Sequence, residues 1–163
     1  MKVGIISDTH NNRGNILKAI SIFNEQKASW VLHAGDMASA ETAGEFAALD
    51  GAKLIYVSGN CDIDRALMQR TIEELGGDYY DPSYDGEIEG KRIFMTHKPD
   101  VMAAAAGSGR YELVVFGHTH KRDIHKVGET LVVNPGKARS GLIGESSVVV
   151  VELDDMSYEV FGL

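Results

Sequence analysis

The stretch KVGIISDTH, residues 2 to 10, joins a short apolar run to a polar end that carries Asp8 and His10. The run at residues 2 to 7 is rich in β-branched side chains and is typical of a buried strand. RGNILKAISIFNEQ, residues 13 to 26, follows it with its large apolar side chains on one helical stripe. A strand that leads into an amphipathic helix predicts a βαβ unit, in which successive strands lie parallel.

The alternation of strand and helix continues through the first half of the chain. Residues 30 to 35 and 53 to 59 are short apolar runs and are predicted as strands. Helices are predicted at 39 to 50, where Ser39 would be the N-cap, and at 65 to 75. The first half therefore indicates a parallel sheet with helices against it.

The second half changes to a pattern of hairpins. A helix at 100 to 108 and a strand at 111 to 117 are also predicted there. The predicted hairpins span 84 to 97 with a turn at Glu89-Gly90, 123 to 136 with a turn at Gly128-Glu129, and 146 to 163 with a turn around Asp154-Asp155. Together the two halves favour an α/β fold with two packed mixed β-sheets flanked by helices, an α-β-β-α sandwich.

Length and composition are those of an ordinary globular protein. The 163 residues, of which 44% are hydrophobic, suit a single domain over residues 1–163. No apolar run approaches the roughly 20 residues of a membrane helix, and the N-terminus lacks the layout of a signal peptide. The single cysteine, Cys61, agrees with a reducing compartment, so we expect a cytoplasmic protein. A net charge of −8 argues against a long nucleic acid as partner.

Polar side chains follow five of the predicted strands at the point where each strand ends. In an α/β sheet the carboxyl ends of parallel strands share an edge, and ligand sites gather there. The pair of histidines in FGHTH, residues 116 to 120, directly follows one of these strands, where a turn would aim both rings at a common point. The side chains that would meet at this edge are Asp8, His10, Asp36, Asn60, Asp62, His97, His118 and His120.

This set of donors predicts a metal centre. Carboxylates and imidazoles suit divalent transition metals. Two aspartates, one asparagine and four histidines exceed the needs of one ion, and a shared carboxylate would hold two ions roughly 3.5–4 Å apart. Gly35, Gly59 and Gly117 each stand directly before a candidate ligand, where a tight turn would aim the side chain at a crowded centre. The expected cofactors are two divalent ions, manganese first, with nickel, iron, zinc or cobalt as alternatives.

The ordered set Asp8-x-His10, Gly35-Asp36, Gly59-Asn60-x-Asp62, His97 and Gly117-His118-x-His120 resembles the signature of the calcineurin-like metallophosphoesterases. The short chain and the NPG at 134 to 136 resemble their small phosphodiesterase branch in bacteria and archaea. The resemblance implies a sandwich of two sheets flanked by helices. It also implies that Asp36 bridges two ions, one held with Asp8, His10 and His120, the other with Asn60, His97 and His118.

Two positions depart from the family pattern. Many relatives carry histidine after the Gly-Asn, where it is assigned to protonating the leaving group or gripping phosphate, and this chain has Cys61. The loss of that imidazole disfavours hydrolysis of unactivated phosphomonoesters. A glycine commonly follows the histidine at position 97, and this chain has Lys98, which is either a solvated charge or a phosphate contact.

The resulting prediction is a metal-dependent phosphodiesterase that acts on small phosphodiesters. Two divalent ions and two carboxylates would leave the centre at about +2, which would activate a bridging water as hydroxide and attract a phosphodiester monoanion. The expected catalytic residues are Asp36, Asn60 and His118. Asp62 and Cys61 would lie behind the ligands or beside the substrate.

Three alternatives stay open: a non-catalytic protein-binding scaffold of the same fold, a phosphomonoesterase and a nuclease. The full set of ligands argues against the scaffold, and the short length and negative charge argue against the nuclease. No membrane is expected as a partner, and a homo-oligomer is left open. Among the remaining polar residues, His33 is expected in the core, His125 at the surface, and Arg13, Lys137 and Arg139 are candidate substrate contacts.

Overall fold

The computed structural model describes residues 1–139 and 146–163. Its helices are α1 (Arg13–Glu25), α2 (Ala40–Ala43), α3 (Arg65–Glu74) and α4 (Pro99–Gly107), with a 3₁₀ helix at Gly44–Ala48. Its strands are β1 (Lys2–Ile6), β2 (Trp30–His33), β3 (Lys53–Val57), β4 (Asp78–Tyr80), β5 (Ser83–Ile88), β6 (Lys91–Thr96), β7 (Leu113–Val115), β8 (Arg122–Val127), β9 (Thr130–Pro135), β10 (Ser147–Glu152) and β11 (Ser157–Gly162).

The strands form two mixed sheets. The first sheet has the order β11-β10-β1-β2-β3-β4, in which β1 to β4 are parallel and β10 and β11 are antiparallel. The second has the order β5-β6-β7-β9-β8, in which β6, β7 and β9 are parallel and each edge strand is antiparallel. Parallel strands therefore occupy the centre of both sheets. Hairpins supply three of the four edges, and the parallel strand β4 forms the fourth.

The side chains of each central strand alternate between two apolar layers. In β1, Val3 and Ile5 point into the core between the sheets, while Ile6 packs with α1 on the other face. Helices α1 and α3 cover the first sheet through side chains such as Phe23 and Met68. On the far side, α4 covers the second sheet. The predicted α-β-β-α sandwich is thus confirmed.

The predicted helix at 39 to 50 is wrong in its extent. Only Ala40–Ala43 is α-helical, and the chain then tightens into the 3₁₀ turn that begins at Gly44. Ser39 precedes the helix, but its hydroxyl donates to Oδ1 of Asn11 at 2.8 Å instead of capping. A short helix without a side-chain cap and with glycine at its end has little reason to continue.

The other elements agree with the sequence pattern except at two strands. The three hairpins turn where predicted, and Glu89 (φ 50°) and Gly90 (φ 76°) both adopt the left-handed conformation of a tight hairpin turn. The strand predicted at 111 to 117 is reduced to β7, and β4 was not predicted at all. None of the described helices is both long and apolar enough to cross a membrane.

Candidate metal centre

The loops that follow β1, β2, β3, β6 and β7 meet at one end of the sandwich. Within the first sheet, the N–H of Asp8 donates to the carbonyl of Gly35 at 3.0 Å. Between the sheets, the N–H of His118 donates to Oδ2 of Asp8 at 3.1 Å, and Nδ1 of His97 lies 2.8 Å from the carbonyl of Ala34. These bonds bring the seven predicted ligands together in two groups that share Asp36.

The first group consists of Asp8, His10, Asp36 and His120, whose ligand atoms all lie within 4.8 Å of one another. Nε2 of His10 lies 3.8 Å from Oδ1 of Asp8 and 3.7 Å from Oδ2 of Asp36. Nε2 of His120 lies 3.3 Å from Oδ1 of Asp8 and 3.3 Å from Nε2 of His10. Two ligands that each bind an ion at about 2.1 Å lie roughly 3.0–4.2 Å apart, so these spacings fit one ion.

The second group consists of Asp36, Asn60, His97 and His118. Oδ1 of Asn60 lies 3.0 Å from Nε2 of His97 and 3.0 Å from Nδ1 of His118. The ring nitrogens of the two histidines are 3.3 Å apart. Oδ2 of Asp36, which faces His10 in the first group, lies 3.4 Å from Nε2 of His97. One carboxylate oxygen therefore belongs to both groups.

Asp8 supplies a direct test of whether a cation fits. Its Oδ2 accepts hydrogen bonds from the hydroxyl of Ser7 at 2.6 Å and from the N–H of His118. Its Oδ1 is buried and has no hydrogen-bond partner among the residues that the structure describes. A buried carboxylate oxygen is rarely left unpaired. A divalent ion held by Asp8, His10, Asp36 and His120 would satisfy it, so the donor set fits a metal.

Asp36 and His97 form the most buried contact of the centre. Burial raises the pKa of Asp36, but hydrogen bonds from His97 and from the N–H of Cys61 outweigh it and hold that pKa well below its usual range. Burial lowers the pKa of His97, but its bonds to Asp36 and to the carbonyl of Ala34 prevail and raise it. The Nδ1–H donated to Ala34 leaves Nε2 facing the site, as is typical of a metal-ligating histidine.

Five of the seven candidate ligands have a left-handed backbone. Their φ angles are 54° at Asp8, 42° at His10, 58° at Asp36, 72° at His118 and 60° at His120. This conformation is uncommon for residues other than glycine and costs on the order of 1–3 kcal/mol each when strained. It persists where the surroundings fix it, and such residues cluster at functional sites.

Two glycines are required because backbone and ligand approach closely. A Cβ at Gly59 would collide with Oδ1 and the backbone nitrogen of Asp36. A Cβ at Gly117 would collide with the hydroxyl of Ser7 and lie 2.8 Å from the carbonyl oxygen of Ala34. Gly59 and Gly117 therefore let the loops after β3 and β7 pack closely against Asp36 and Asp8.

Asp62 ties the loop after β2 to the loop after β3. Its Oδ1 accepts the N–H of Ala38 at 2.9 Å, and its Oδ2 accepts the N–H of Gly59 at 2.6 Å. The buried phenol of Tyr56 donates to the same Oδ2 at 2.5 Å. Asp62 thus positions the segments that carry Asp36 and Asn60 without itself reaching the ligand groups.

Cys61 lies exposed at the mouth of the centre. Its N–H donates to Oδ1 of Asp36 at 2.8 Å, and its sulfur accepts from Nδ2 of Asn60 at 3.3 Å. Partial burial and the neighbouring Asp36 raise the pKa of the thiol. The backbone of Cys61 therefore supports Asp36, while in the metal-free protein its side chain favours the protonated thiol.

Three supporting residues were missed by the sequence analysis. The hydroxyl of Ser7 donates to Asp8, and the phenol of Tyr56 donates to Asp62. Asn134 donates to the carbonyl of Gly117 at 3.1 Å and to the hydroxyl of Thr119 at 3.0 Å. Asn134 opens the NPG stretch at 134 to 136, which carries the family resemblance but for which the sequence predicts no role in the site. Nothing in the sequence around Tyr56 distinguishes it from a core aromatic.

The remaining candidates lie outside the two groups. Arg13 pairs with Glu45 at 2.5 Å, and Arg139 is exposed beside the end of the described segment. Lys137 is half-buried. His33 is buried, as predicted, and its Nε2 lies 3.2 Å from the hydroxyl of Thr9. His125 is exposed on β8, also as predicted.

Comparison with known proteins identifies the class. Residues 1–156 match the family model described as the calcineurin-like phosphoesterase superfamily domain, and the chain belongs to that superfamily. Its members are metallophosphoesterases, which implies divalent metal ions. The resemblance predicted from the motifs is thereby confirmed.

Two curated relatives and two solved structures place the chain within this class. It is 35% identical over 161 residues to Phosphodiesterase MJ0936 of Methanocaldococcus jannaschii, with 97% of this chain and 96% of the relative covered. It is 26% identical to Phosphodiesterase YfcE of Escherichia coli K12, with 96% and 95% covered. A solved archaeal phosphodiesterase, 34% identical, superposes with a TM-score of 0.93 over 100% of both chains. Zinc-complexed Vps29 of Entamoeba histolytica, 19% identical with a TM-score of 0.69 over 100% and 98% of the chains, shares the fold.

Proposed function

We propose that this protein is a metal-dependent phosphodiesterase that hydrolyses small phosphodiesters at a binuclear metal centre. The observation that carries the proposal is the shared oxygen Oδ2 of Asp36, 3.7 Å from Nε2 of His10 and 3.4 Å from Nε2 of His97. A bridging carboxylate requires such a position. The phosphodiesterase relatives from an archaeon and from E. coli support the same reaction.

Each side chain of the centre has a proposed role. When bound, the two ions would neutralise phosphate charge and lower the pKa of a water molecule. Asp8 and Asp36 are buried and would offset part of the positive charge. Asn60 and His118 are exposed at the open side of the centre, where a phosphodiester would arrive. Together with Asp36 they are the proposed catalytic residues.

The residue at position 61 favours diesters with good leaving groups. Expulsion of an alkoxide needs a proton, which a general acid close to neutral pKa supplies most effectively. An ordinary thiol has a pKa of about 8.5 and is a poor donor for this purpose. In the metal-free protein, burial and Asp36 raise the pKa of the Cys61 thiol further. A phenolate leaves without protonation, so an aryl diester escapes this limitation.

The finer features of this proposal follow from the chemistry of the chain. Manganese is the preferred metal, with nickel, iron, zinc or cobalt as alternatives, since all suit mixed carboxylate and imidazole ligands. The substrate is a small phosphodiester, because a net charge of −8 disfavours a long polyanion. We further propose a single domain over residues 1–163 and a cytoplasmic location.

The proposal is tested with chelator-treated protein. Adding each of the five metals should restore hydrolysis of an aryl phosphodiester, most of all with manganese, and calorimetry should show two equivalents bound. His10→Ala should remove one binding step, while His125→Ala, which deletes an exposed histidine outside the centre, should leave both. Binding of one equivalent at saturation, or no turnover with any of the metals, would contradict the proposal.

A further inference from the structure

A pocket opens beside the proposed metal centre. Its volume is about 160 Å³, and it shares Asn60 and His97 with the second ligand group. Its other polar walls are Ser58, Arg65 and Asp81, with Lys98 at the rim. A phosphoryl group held next to Asn60 and His97 would therefore have one ester arm directed along this pocket.

Hydrogen bonds join three of the residues that line the pocket, Ser58, Arg65 and Asp81. Nη1 of Arg65 donates to Oδ2 of Asp81 at 2.7 Å, and Nη2 donates to the carbonyl of Gly59 at 3.0 Å. The hydroxyl of Ser58 donates to Oδ1 of Asp81 at 2.6 Å. The guanidinium and the carboxylate neutralise each other, so this network gives the pocket shape and rigidity but no net charge.

Lys98 supplies the charge that the network lacks. Its backbone is fixed in front of α4, where its carbonyl accepts the N–H of Met102 at 3.1 Å and its N–H donates to the hydroxyl of Thr96 at 3.3 Å. In the described part of the chain its ammonium has no ion pair within 4.0 Å, but it lies close enough to Asp81 to help lower the pKa of that carboxylate, after the larger effects of Ser58 and Arg65. The pocket is thus lined by two cations, Arg65 and Lys98, and one carboxylate, Asp81, which leaves a net positive charge.

We propose that this pocket binds a short, anionic ester arm of the substrate, with Lys98 as the residue that selects it. The inference rests on the proposed function, because the arm is attached to the phosphoryl group held at the metal centre. A pocket of 160 Å³ is well below the roughly 300–1,000 Å³ of sites for drug-sized ligands, so the arm must be short. The excess of positive charge, with the Lys98 ammonium exposed at the rim, favours a carboxylate or phosphate at the end of that arm over a neutral or cationic group.

The test compares phosphate monoesters that differ only in the arm, with calorimetry on the manganese-loaded protein as the readout. The probes are ethyl phosphate (neutral arm), phosphoglycolate (carboxylate arm), ethylene glycol bisphosphate (phosphate arm), phosphocholine (cationic arm) and inorganic phosphate (no arm). We expect the two anionic arms to bind about tenfold more tightly than the neutral arm, and the cationic arm to bind least. The carboxylate and phosphate probes distinguish the two sources of negative charge.

The variants separate the selection of the arm from general phosphate binding. Lys98→Met should abolish the advantage of the anionic arms and leave inorganic phosphate unchanged, and Lys98→Glu should make phosphocholine the tightest probe. Lys126→Met, which removes an exposed lysine on β8, is the matched control. An equal loss for all five probes in Lys98→Met would place the ammonium on the central phosphate and overturn the inference, as would an unchanged preference. Failure to load metal at all would instead count against the proposed function.

Discussion

The carboxylate of Asp36 is the side chain on which both halves of the proposed centre depend. We predict that Asp36→Ala lowers kcat/KM for an aryl diester by about a thousandfold, roughly 4 kcal/mol, because both ions lose a ligand. Asp8→Ala and His97→Ala should each mainly weaken one metal site, and excess metal should partly restore their activity. Rates measured over a manganese titration check this, and near-normal turnover of Asp36→Ala would show that the carboxylate does not bridge.

Cys61 tests how a single side chain sets the choice between diesters and monoesters. We predict that Cys61→Ala changes aryl diester hydrolysis little, because the thiol lies beside Asn60 and Asp36 only as a supporting contact and the N–H that donates to Asp36 is retained. Cys61→His should raise alkyl monoester hydrolysis by roughly tenfold to a hundredfold, since an imidazole can protonate the alkoxide. Steady-state rates on both substrates decide the matter, and a collapse of diesterase activity in Cys61→Ala would show that the thiol participates.

The candidate ligands could be predicted as a set, because several polar side chains each follow a strand. Asp8, Asp36 and His118 needed only the strand pattern and the rule that parallel strands end at a common edge. Their left-handed backbone could not be predicted, since that conformation depends on packing between loops far apart in the chain. The same holds for Tyr56, whose bond to Asp62 exists only in the folded protein.

At the scale of elements, the sequence pattern was most informative where local chemistry decides the structure. The hairpin at Glu89-Gly90 was predictable because tight two-residue turns need left-handed residues and therefore favour glycine, which stands at position 90. Strand β4 was not, because three residues, Asp78–Tyr80, carry no periodicity and pair with β3 only through tertiary contacts. The pattern at 39 to 50 predicts too long a helix, because it suggests Ser39 as the N-cap. In the folded chain the Ser39 hydroxyl donates to Asn11 in a distant loop and does not cap the helix.

The packing of α1 on β1 depends on the absence of a side chain at Gly4. A Cβ there would lie 2.5 Å from Cδ1 and 2.6 Å from Cε1 of the buried Phe23. We therefore predict that Gly4→Ala lowers the free energy of unfolding by about 1–3 kcal/mol through overpacking. Urea denaturation of the metal-free protein measures it.

Two variants control for effects of the alanine itself. Gly14→Ala lies within α1, where the nearest atom to the added Cβ is Oδ1 of Asn12 at 3.6 Å, so it should stabilise the helix by roughly 0.5–1 kcal/mol. In Gly4→Ala combined with Phe23→Leu, the smaller side chain should relieve the overlap. If the two substitutions were simply additive, contact with Phe23 would not be the cause.

At the scale of the whole molecule, the metal centre depends on the position of the two sheets relative to each other. The first sheet presents Asp8, Asp36 and Asn60, and the second presents His97 and His118. Pattern analysis could predict two sheets and their layers, because apolar alternation is local. It could not supply the bonds that join them, such as His97 to Ala34 and His118 to Asp8, which set the spacing of the two ligand groups.

Beneath the centre, the fully buried His33 makes the stability of the whole fold depend on pH. Its Nδ1 accepts the N–H of Gly35 at 3.2 Å, which requires the neutral ring, and burial lowers its pKa to about 4. In the unfolded chain this ring has a pKa near 6.5. Above about pH 6.5 His33 is neutral in both states and has no effect on the pH dependence of stability. As the pH falls from 6.5 toward 4 the unfolded chain takes up the proton first, so the free energy of unfolding decreases. The loss should reach about 3 kcal/mol by pH 4. Unfolding of the metal-free protein at several pH values should show a smaller acid loss in His33→Asn, whose amide oxygen can still accept from Gly35. Identical acid slopes for the two proteins would show that His33 does not titrate in this way.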